Sequence, residues 1–171
     1  KKDVKRLHTV TDRFSKIGSQ PELSALNIIP PLIQTASYMR PRISKQVSLN
    51  LENCNEGGEE MAMFNPSLLS WVLENLIRNA VDAMEGKGEI IVTLSTSDSA
   101  VFVDVADNGR GISRSDVRNV FAPGFTTKKR GWGLGLSLTK RIIEEYHGGK
   151  IALLTTEVGV GTTFRLTLRR D

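Results

Sequence analysis

Two glycine clusters with a cationic loop between them occupy the stretch from residue 107 to residue 136. It begins DNGRGI, continues VFAPGFTTKKR and ends GWGLGL. Glycine lets backbone turn tightly and approach a bound molecule closely. The amide groups at the start of a helix attract anions, and the second cluster opens an apolar-periodic helix. The stretch therefore predicts a nucleotide site covered by a movable lid, which we define as residues 120–136.

Helices and strands surround this stretch in mixed order. A helix is predicted over about 66–84, because Asn65-Pro66 supplies a cap and a proline start and the apolar residues recur with helical period. The strands EIIVTLST and AVFVDVAD follow as a hairpin, and the second ends at Asp107. A helix over 134–146 and the strands KIALLT and TFRLTLRR complete the sequence.

The first third of the chain predicts a short strand at 27–29, a helix over 31–40 and a half-buried strand over 47–51. The following loop, ENCNEGGEE, is polar. The order of elements lacks regular alternation of strand and helix. The fold class is therefore predicted as α+β, a two-layer sandwich in which a mixed, mostly antiparallel sheet packs against helices.

The composition excludes several classes of protein. Of 171 residues, 39% are hydrophobic and 25% are charged with both signs interspersed, which is typical of a globular domain. The net charge of +4 allows an anionic ligand, but the cations are scattered, so no nucleic acid is expected as a partner. A single cysteine suits a reducing compartment. The sequence contains no apolar run long enough for a membrane helix and no recognisable signal peptide. A cytoplasmic location is expected, with membrane attachment only through segments outside this sequence.

Residues 1–18 predict an amphipathic helix whose apolar residues, Leu7, Val10, Phe14 and Ile17, form the seam of a packed helix pair. One short helix cannot bury that seam alone, so its partner is expected in another chain or another segment. The sequence begins Lys-Lys, which suggests a fragment. His8 lies beside the seam and is interpreted as a surface histidine.

Polar residues interrupt the apolar face of the helix over 66–84. Asn75, Asn79 and Asp82 are spaced by four and three residues, so they share one stripe. These amides either belong to a hydrogen-bond network in the core or turn an oxygen toward a cation held by an anion. Mg²⁺ prefers oxygen ligands and takes only one or two from protein when phosphates supply others.

Asp107 is either a turn-forming residue before Asn-Gly or a ligand of a purine base. Its carboxylate can accept a hydrogen bond from the exocyclic amino group of adenine. Guanine would present an oxygen there, and this mismatch costs about 1–3 kcal/mol. Gly109 and Gly111 would let the backbone approach the ring.

The second cluster, Gly131-Trp132-Gly133-Leu134-Gly135, lacks the preceding strand of a dinucleotide-binding fingerprint and has no GK[ST] sequence. It does precede a helix whose first amides can hold phosphate oxygens. Lys128, Lys129 and Arg130 come just before it. At least one of these cations is expected to contact phosphate, and the others are expected to be solvated.

Five segments together resemble the boxes of the ATP-binding domain of sensor histidine kinases, in the superfamily shared with gyrase, Hsp90 and MutL. They occur in the family's order: ENLIRNAVDAM resembles the N box, DNGRGI the G1 box, VFAPGFTTK the F box, GWGLGLSLTKRI the G2 box and GVGTTF the final glycine-threonine motif. The resemblance implies a Bergerat fold with ATP under a mobile lid. It also implies that residues 1–20 are the end of a dimerisation helix pair and residues 21–171 the catalytic domain.

The resemblance assigns Mg²⁺ to Asn79 and adenine to Asp107, with Thr162 supporting the adenine contact through water. The ATP-binding residues it implies are Asn75, Asn79, Asp82, Asp107, Gly109, Gly111, Ile112, Lys128, Gly131, Gly133, Leu134, Gly135, Leu136 and Thr162. Gly124 and Trp132 depart from the family's usual F and G2 boxes. Hydrolytic relatives carry a glutamate where this chain has Asn75, so water is not the expected nucleophile.

The family's phosphoacceptor is a histidine on the first dimerisation helix followed by an acidic residue, whereas His8 is followed by Thr9. His147, beside two glycines, is interpreted as a helix cap. The resemblance therefore implies a histidine kinase domain with no catalytic residue of its own in this sequence. Its implied partners are the dimerisation domain, in a homodimer, and a response regulator receiver domain. The alternatives are a degenerate nucleotide-binding module without transfer and a hydrolytic ATPase.

Overall fold

The computed structural model describes residues 20–129 and 131–171. The N-terminal helix predicted over 1–18, His8 within it and Arg130 lie outside this range. Among the described residues no helix is long and apolar enough to cross a membrane.

The first elements are strand β1 (Ser24–Asn27) and helix α1 (Ile29–Met39). The strand predicted at 27–29 is wrong, because Ile28 already has helical backbone angles and caps α1. Prolines in the first turn of α1 explain the early start, since that turn needs no amide donors. Asn27 stabilises the junction by accepting hydrogen bonds from the amides of Ile29 (3.2 Å) and Glu60 (3.1 Å).

A 3₁₀ turn (Arg40–Arg42) leads to β2 (Val47–Glu52), and β3 (Met61–Phe64) pairs with β1 in a small antiparallel sheet. The sequence did not predict β3, whose four residues are too few to show a clear alternation. Helix α2 (Pro66–Ala83) follows, and the side chain of Asn65 accepts a hydrogen bond from the amide of Leu68 (3.1 Å) as its cap. The predicted cap and proline start of this helix are confirmed.

The remaining strands are β4 (Gly88–Thr96), β5 (Ala100–Asp107), β6 (Lys150–Glu157) and β7 (Gly161–Arg169). Between β5 and β6 lie a short helix α3 (Arg114–Val117), which the sequence did not predict, and helix α4 (Gly135–Arg141). Helix α4 continues as a π-helical segment (Ile142–Tyr146).

The main sheet has the order β2-β4-β5-β7-β6, in which only the pair β2–β4 is parallel. Its inner face and the helices bury the core; the largest fully buried side chains include Phe64, Leu69, Leu73, Ile77, Ile90, Ile143 and Leu166. The predicted α+β sandwich with a mixed, mostly antiparallel sheet is confirmed. Antiparallel pairing places the end of β5 beside the start of β7, so Asp107 lies opposite Thr162.

Candidate functional site

A cavity of about 610 Å³ opens between α2, the ends of β5 and β7, and the lid. Its volume is within the range of roughly 300–1,000 Å³ typical of small-molecule sites. Helix α2 presents polar residues to it at one side, and Asp107 and Thr162 come from the sheet. The lining residues are Asn75, Leu76, Asn79, Ala80, Asp82, Ala83, Val105, Asp107, Arg110, Ile112, Val120, Phe125, Thr126, Thr127, Lys128, Gly131, Trp132, Gly133, Leu134, Gly135, Leu136, Thr162 and Phe164.

Asp107 is half-buried at the end of β5. Burial raises the pKa of its carboxyl, while backbone hydrogen bonds from Gly109 and Thr162 oppose that rise. The Gly109 amide donates to Oδ1 at 2.9 Å. Asp107 is therefore a hydrogen-bond acceptor in a poorly solvated position. A donor group on a ligand would supply the hydrogen bond that water supplies to an exposed carboxylate.

The turn after Asp107 is clamped between two parts of the protein. The Arg110 amide donates to the carbonyl of Ala83 at the end of α2 (2.9 Å), and the Gly159 amide donates to the carbonyl of Arg110 (2.8 Å). A Cβ on Gly109 would lie 2.6 Å from the Ala83 oxygen. A Cβ on Gly111, whose φ is +73°, would overlap the carbonyl of Glu157. These two glycines therefore allow protein backbones to pack together, and they lie behind the cavity wall.

A cation already sits against the polar stripe of α2. The ammonium of Lys128, in the lid, donates to Oδ1 of Asn79 at 2.9 Å and pairs with Oδ2 of Asp82 at 2.5 Å. Carboxylate and amide oxygens thus converge on a positive charge at this end of the cavity. Among the described residues no group of three His, Cys, Asp or Glu side chains could hold a metal alone.

Asn75 faces the start of α4. Its Nδ2 donates to Oγ1 of the fully buried Thr139 at 3.0 Å. A Cβ on Gly135 would come within 2.6 Å of the Asn75 Oδ1, so α4 can approach α2 only because that residue is glycine. Asn75 therefore joins the two helices that flank the cavity through its Nδ2 donor.

The lid closes on itself at its base. The Gly124 amide donates to the carbonyl of Gly133 (3.0 Å), and Phe121 packs edge-to-face on Phe164 of β7 with ring centroids 6.0 Å apart. Gly133 has φ +66°, and a Cβ there would lie 2.5 Å from the Gly124 carbonyl carbon. Trp132 is 76% exposed, so the tip of the lid presents a large apolar side chain to solvent.

The structure brings most of the predicted ATP-binding residues to one cavity; all of them line it except Gly109 and Gly111. Sequence reasoning missed Arg110, whose guanidinium donates to Oγ1 of Thr127 at 3.2 Å and links the turn after Asp107 to the lid. No periodic signal marks such a contact, since the two residues belong to separate loops. The predicted helix cap at His147 is confirmed, and its amide donates to the carbonyl of Ile142.

The profile of the family described as histidine kinase-, DNA gyrase B- and HSP90-like ATPase matches residues 64–171, more than half of the chain. The chain belongs to this family. The domain is also similar to the sensor histidine kinase ZraS of Escherichia coli K12, with 43% identity over 104 residues, 61% of the chain and 22% of ZraS. The signal transduction histidine-protein kinase AtoS of Escherichia coli K12 is 36% identical over 171 residues, 86% of the chain and 27% of AtoS.

The fold is similar to the catalytic domain of the histidine kinase ThkA, with a TM-score of 0.73 and 27% identity over 88% of this chain and 99% of that one. A structure of ThkA in complex with the response regulator protein TrrA gives a TM-score of 0.76 at 25% identity and covers 99% of this chain and 49% of that one. The ATPase domain is thus a catalytic, ATP-binding domain of the kind found in two-component sensor histidine kinases. It spans about a quarter of the length of the relatives ZraS and AtoS.

Proposed function

We propose that this ATPase domain binds ATP with adenine at Asp107 and the phosphates near Asn79, and transfers the γ-phosphoryl group to a histidine of a separate dimerisation domain. The observation that carries the proposal is the shared cavity, in which a half-buried carboxylate and a cluster of amide, carboxylate and ammonium groups line one space. The adenine amino group requires a hydrogen-bond acceptor such as the carboxylate, and the charged phosphates require polar and cationic groups such as those in the cluster.

At the adenine end of the cavity, the carboxylate of Asp107 would accept a hydrogen bond from the adenine amino group. Thr162 would support the contact with the neighbouring ring nitrogen. The apolar side chains of Leu76, Ala80 and Val105 line the cavity and offer a surface for the flat ring. A guanine base would place its oxygen against Asp107, leaving two acceptors in contact, which costs about 1–3 kcal/mol.

At the phosphates, Mg²⁺ fits the residues present. The Lys128 ammonium shows that the oxygens of Asn79 and Asp82 already hold a positive charge. When bound, Mg²⁺ would neutralise charge on the phosphates, with Asn79 as its principal protein ligand. Lys128 would then be available for the terminal phosphate, and the amides of residues 133–136 at the cavity wall would hold the remaining phosphate oxygens.

Among the residues that the structure describes, His147 is the one histidine, and its contacts do not leave it available as a nucleophile. His147 is 4% exposed, its Nδ1 donates to the carbonyl of Ile142 at 2.8 Å, and its Nε2 accepts from the amide of Asn65 at 3.1 Å. Both nitrogens are therefore engaged. In the proposed transfer an external imidazole nitrogen forms the new bond to phosphorus, the bond to the bridging oxygen breaks, and ADP leaves with those electrons.

Water is a poor competitor for this step. Glu74 pairs with Arg78 on the outer part of α2, with 3.6 Å between the charged atoms, and Asn75 lacks the basicity to activate water. The proposal therefore favours the kinase over the hydrolytic ATPase. A receiver domain of a response regulator is proposed as the final partner, since the similar kinase ThkA forms a complex with the response regulator TrrA.

The test combines this chain with γ-labelled ATP, Mg²⁺ and the dimerisation helices of the longer protein. The expected result is acid-labile label on a histidine of those helices and none on His8 or His147. ATP binding without any transfer would instead support the degenerate nucleotide-binding module. Rapid release of labelled phosphate without histidine labelling would support the hydrolytic ATPase.

A further inference from the structure

Strand β6 contains a β-bulge just before it reaches the site. Leu153 lies opposite Phe164, but Thr155 lies opposite Thr163, so Leu154 is the extra residue. Without the bulge, Thr155 would share the inward face of β6 with Ile151 and Leu153. With it, Leu154 and Thr155 are both exposed and Thr156 turns inward opposite Thr162. A bulge re-aims the side chains that follow it, and here the residue it re-aims is Thr156.

Thr156 bonds to two parts of the site. Its Oγ1 accepts a hydrogen bond from the amide of Ile112, at the end of the turn that follows Asp107 (2.9 Å). The same oxygen lies 2.9 Å from Oγ1 of Thr162, which is 5% exposed and lines the cavity. Thr156 itself is absent from the cavity wall, so it can act on a ligand only through Thr162 and Ile112.

The hydroxyl of Thr156 has one hydrogen to donate. Its two acceptors are Oγ1 of Thr162 at 2.9 Å and the carbonyl of Gly161 at 3.4 Å. Hydroxyl donors normally lie about 2.5–3.0 Å from their acceptors, so the shorter contact favours donation from the Thr156 hydroxyl to Oγ1 of Thr162. The hydroxyl hydrogen of Thr162 is then free to point into the cavity beside Asp107.

We propose that Thr156 is the positioning residue for adenine recognition: it holds the turn after Asp107 at Ile112 and turns the hydroxyl of Thr162 outward as a donor. Adenine offers an acceptor, its N1, next to the amino group that Asp107 would bind, whereas guanine offers a donor at N1. The site therefore presents an acceptor, Asp107, beside a donor, the Thr162 hydroxyl. This pattern complements the amino group and N1 of adenine. This inference rests on the proposed function, because it assumes that adenine occupies this end of the cavity.

The test compares ATP with 1-deazaadenosine triphosphate, in which a C–H group replaces N1. A neutral hydrogen bond contributes about 1 kcal/mol, so the unsubstituted chain should bind the analogue about fivefold more weakly than ATP. Thr156→Val should weaken ATP binding by about fivefold. It should also bring the ratio of the dissociation constants of the two nucleotides toward one. Thr156→Ser keeps the hydroxyl and should restore both the ATP affinity and the ratio of the two dissociation constants.

Thr155→Val is the matched control, because the same chemical change falls on the neighbouring exposed residue and should alter neither value. Amide exchange gives a second measurement without nucleotide: the Ile112 amide should exchange faster in Thr156→Val and at the original rate in Thr155→Val. Thermal unfolding of each variant checks the fold, and Thr156→Ala repeats the test without the added methyl group.

Equal ATP affinity and equal nucleotide ratios in Thr156→Val and Thr155→Val would overturn the inference while leaving the proposed function intact. Failure of Thr156→Ser to restore the ratio would do the same. If the unsubstituted chain bound neither nucleotide, the proposed function would fail and this inference with it.

Discussion

Asp107 illustrates how a single side chain meets opposed demands. The proposed adenine contact needs an ionised carboxylate there, yet burial raises the pKa of this group. A carboxyl whose pKa is higher in the folded than in the unfolded state lowers stability as the pH rises from the unfolded to the folded pKa, and the full cost applies above the folded pKa. The ionised form therefore costs the ligand-free domain stability at neutral pH, which is expected of a binding residue rather than a structural one.

Replacing Asp107 with Asn should separate binding from stability. ATP affinity is expected to fall by about 2–3 kcal/mol, or roughly 30-fold to 150-fold, because a charged acceptor is lost in a poorly solvated position. The thermal midpoint of the ligand-free domain should stay constant or rise. Calorimetry and thermal unfolding measure the two effects.

Asp104→Asn on the same strand is the control. Asp104 forms two 2.7 Å hydrogen bonds with Arg165. This partly exposed pair contributes at most about 1 kcal/mol, so the control should lose a little stability and keep its ATP affinity. An Asp107→Asn variant that bound ATP normally would contradict the assignment of adenine to Asp107.

Lys128 holds the place where Mg²⁺ is proposed to bind. Its ammonium contacts Asn79 and Asp82, so a metal ion that uses these oxygens has to displace it. Lys128→Met should therefore lower the Mg²⁺ concentration needed for half-saturation at fixed ATP. It should also weaken ATP binding about tenfold, since a charge-assisted phosphate contact of roughly 1.5 kcal/mol or more is lost.

Titration of Mg²⁺ with a fluorescent nucleotide measures both effects of the Lys128→Met change. The exposed neighbour Lys129 offers the matched control, because Lys129→Met removes the same charge from the next position in the lid. If the two variants gave the same Mg²⁺ dependence, competition between Lys128 and the metal ion would be ruled out.

At the scale of elements, His147 connects the two helical segments that flank the cavity. Its Nδ1 donates to Ile142 in the π-helical continuation of α4, and its Nε2 accepts from Asn65 at the start of α2. Both bonds require the neutral ring with its proton on Nδ1, because a proton on Nε2 would face the amide of Asn65. Burial accordingly lowers the pKa of this histidine.

The lowered pKa of His147 predicts a loss of stability in mild acid. The unfolded chain takes up a proton as the pH falls below about 6.5, whereas the folded domain does so only at lower pH, so stability is complete above that value and declines below it. The decline cannot exceed about 1.4 kcal/mol per pH unit for one proton. Thermal unfolding from pH 7.5 to 5.5 measures it.

A His147→Gln variant should start less stable at pH 7.5 and show a shallower decline toward pH 5.5. Making the same substitution in a His8→Gln background removes the second histidine of the chain, so that the two profiles differ only at His147. The link between the helical segments through His147 would be refuted by parallel profiles of His147→Gln and the unsubstituted protein.

At the scale of the whole molecule, the site draws on residues far apart in the chain and on both layers of the fold. Helix α2 supplies Asn79, β5 supplies Asp107, the lid supplies Lys128 and β7 supplies Thr162. Since unfolding disperses all four, the proposed ATP contacts can form only in the folded domain.

Saturation with Mg-ATP should therefore stabilise the entire domain. At a ligand concentration about 100-fold above Kd the gain is about 2.7 kcal/mol. A domain of this size should then unfold roughly 5–10 °C higher, since 1 kcal/mol corresponds to about 2–4 °C. Mg-GTP at the same concentration is the control and should give a much smaller shift. Equal shifts by the two nucleotides would contradict recognition of adenine.

The sequence alone determined the elements whose signals are local. The Asn65-Pro66 start of α2, the alternation of β4 and β5 and the start of α4 after a glycine cluster all depend on a few neighbouring residues, so the prediction of these elements succeeded. It failed where local signals were short or overlapped: the strand predicted at 27–29 became the start of α1, and β3 passed unnoticed. The family motifs predicted the residues of the cavity, and their individual roles as ATP ligands remain predictions.

Only the tertiary structure decided which side chains meet. The contact of Lys128 with Asn79 spans the lid and α2, and the link from His147 to Asn65 joins the ends of two helices distant in sequence. Thr156 reaches the site only because a bulge shifts the register of β6 by one residue. Such contacts follow from strand pairing and helix packing, whose free energies are summed over the whole core, so no local pattern encodes them.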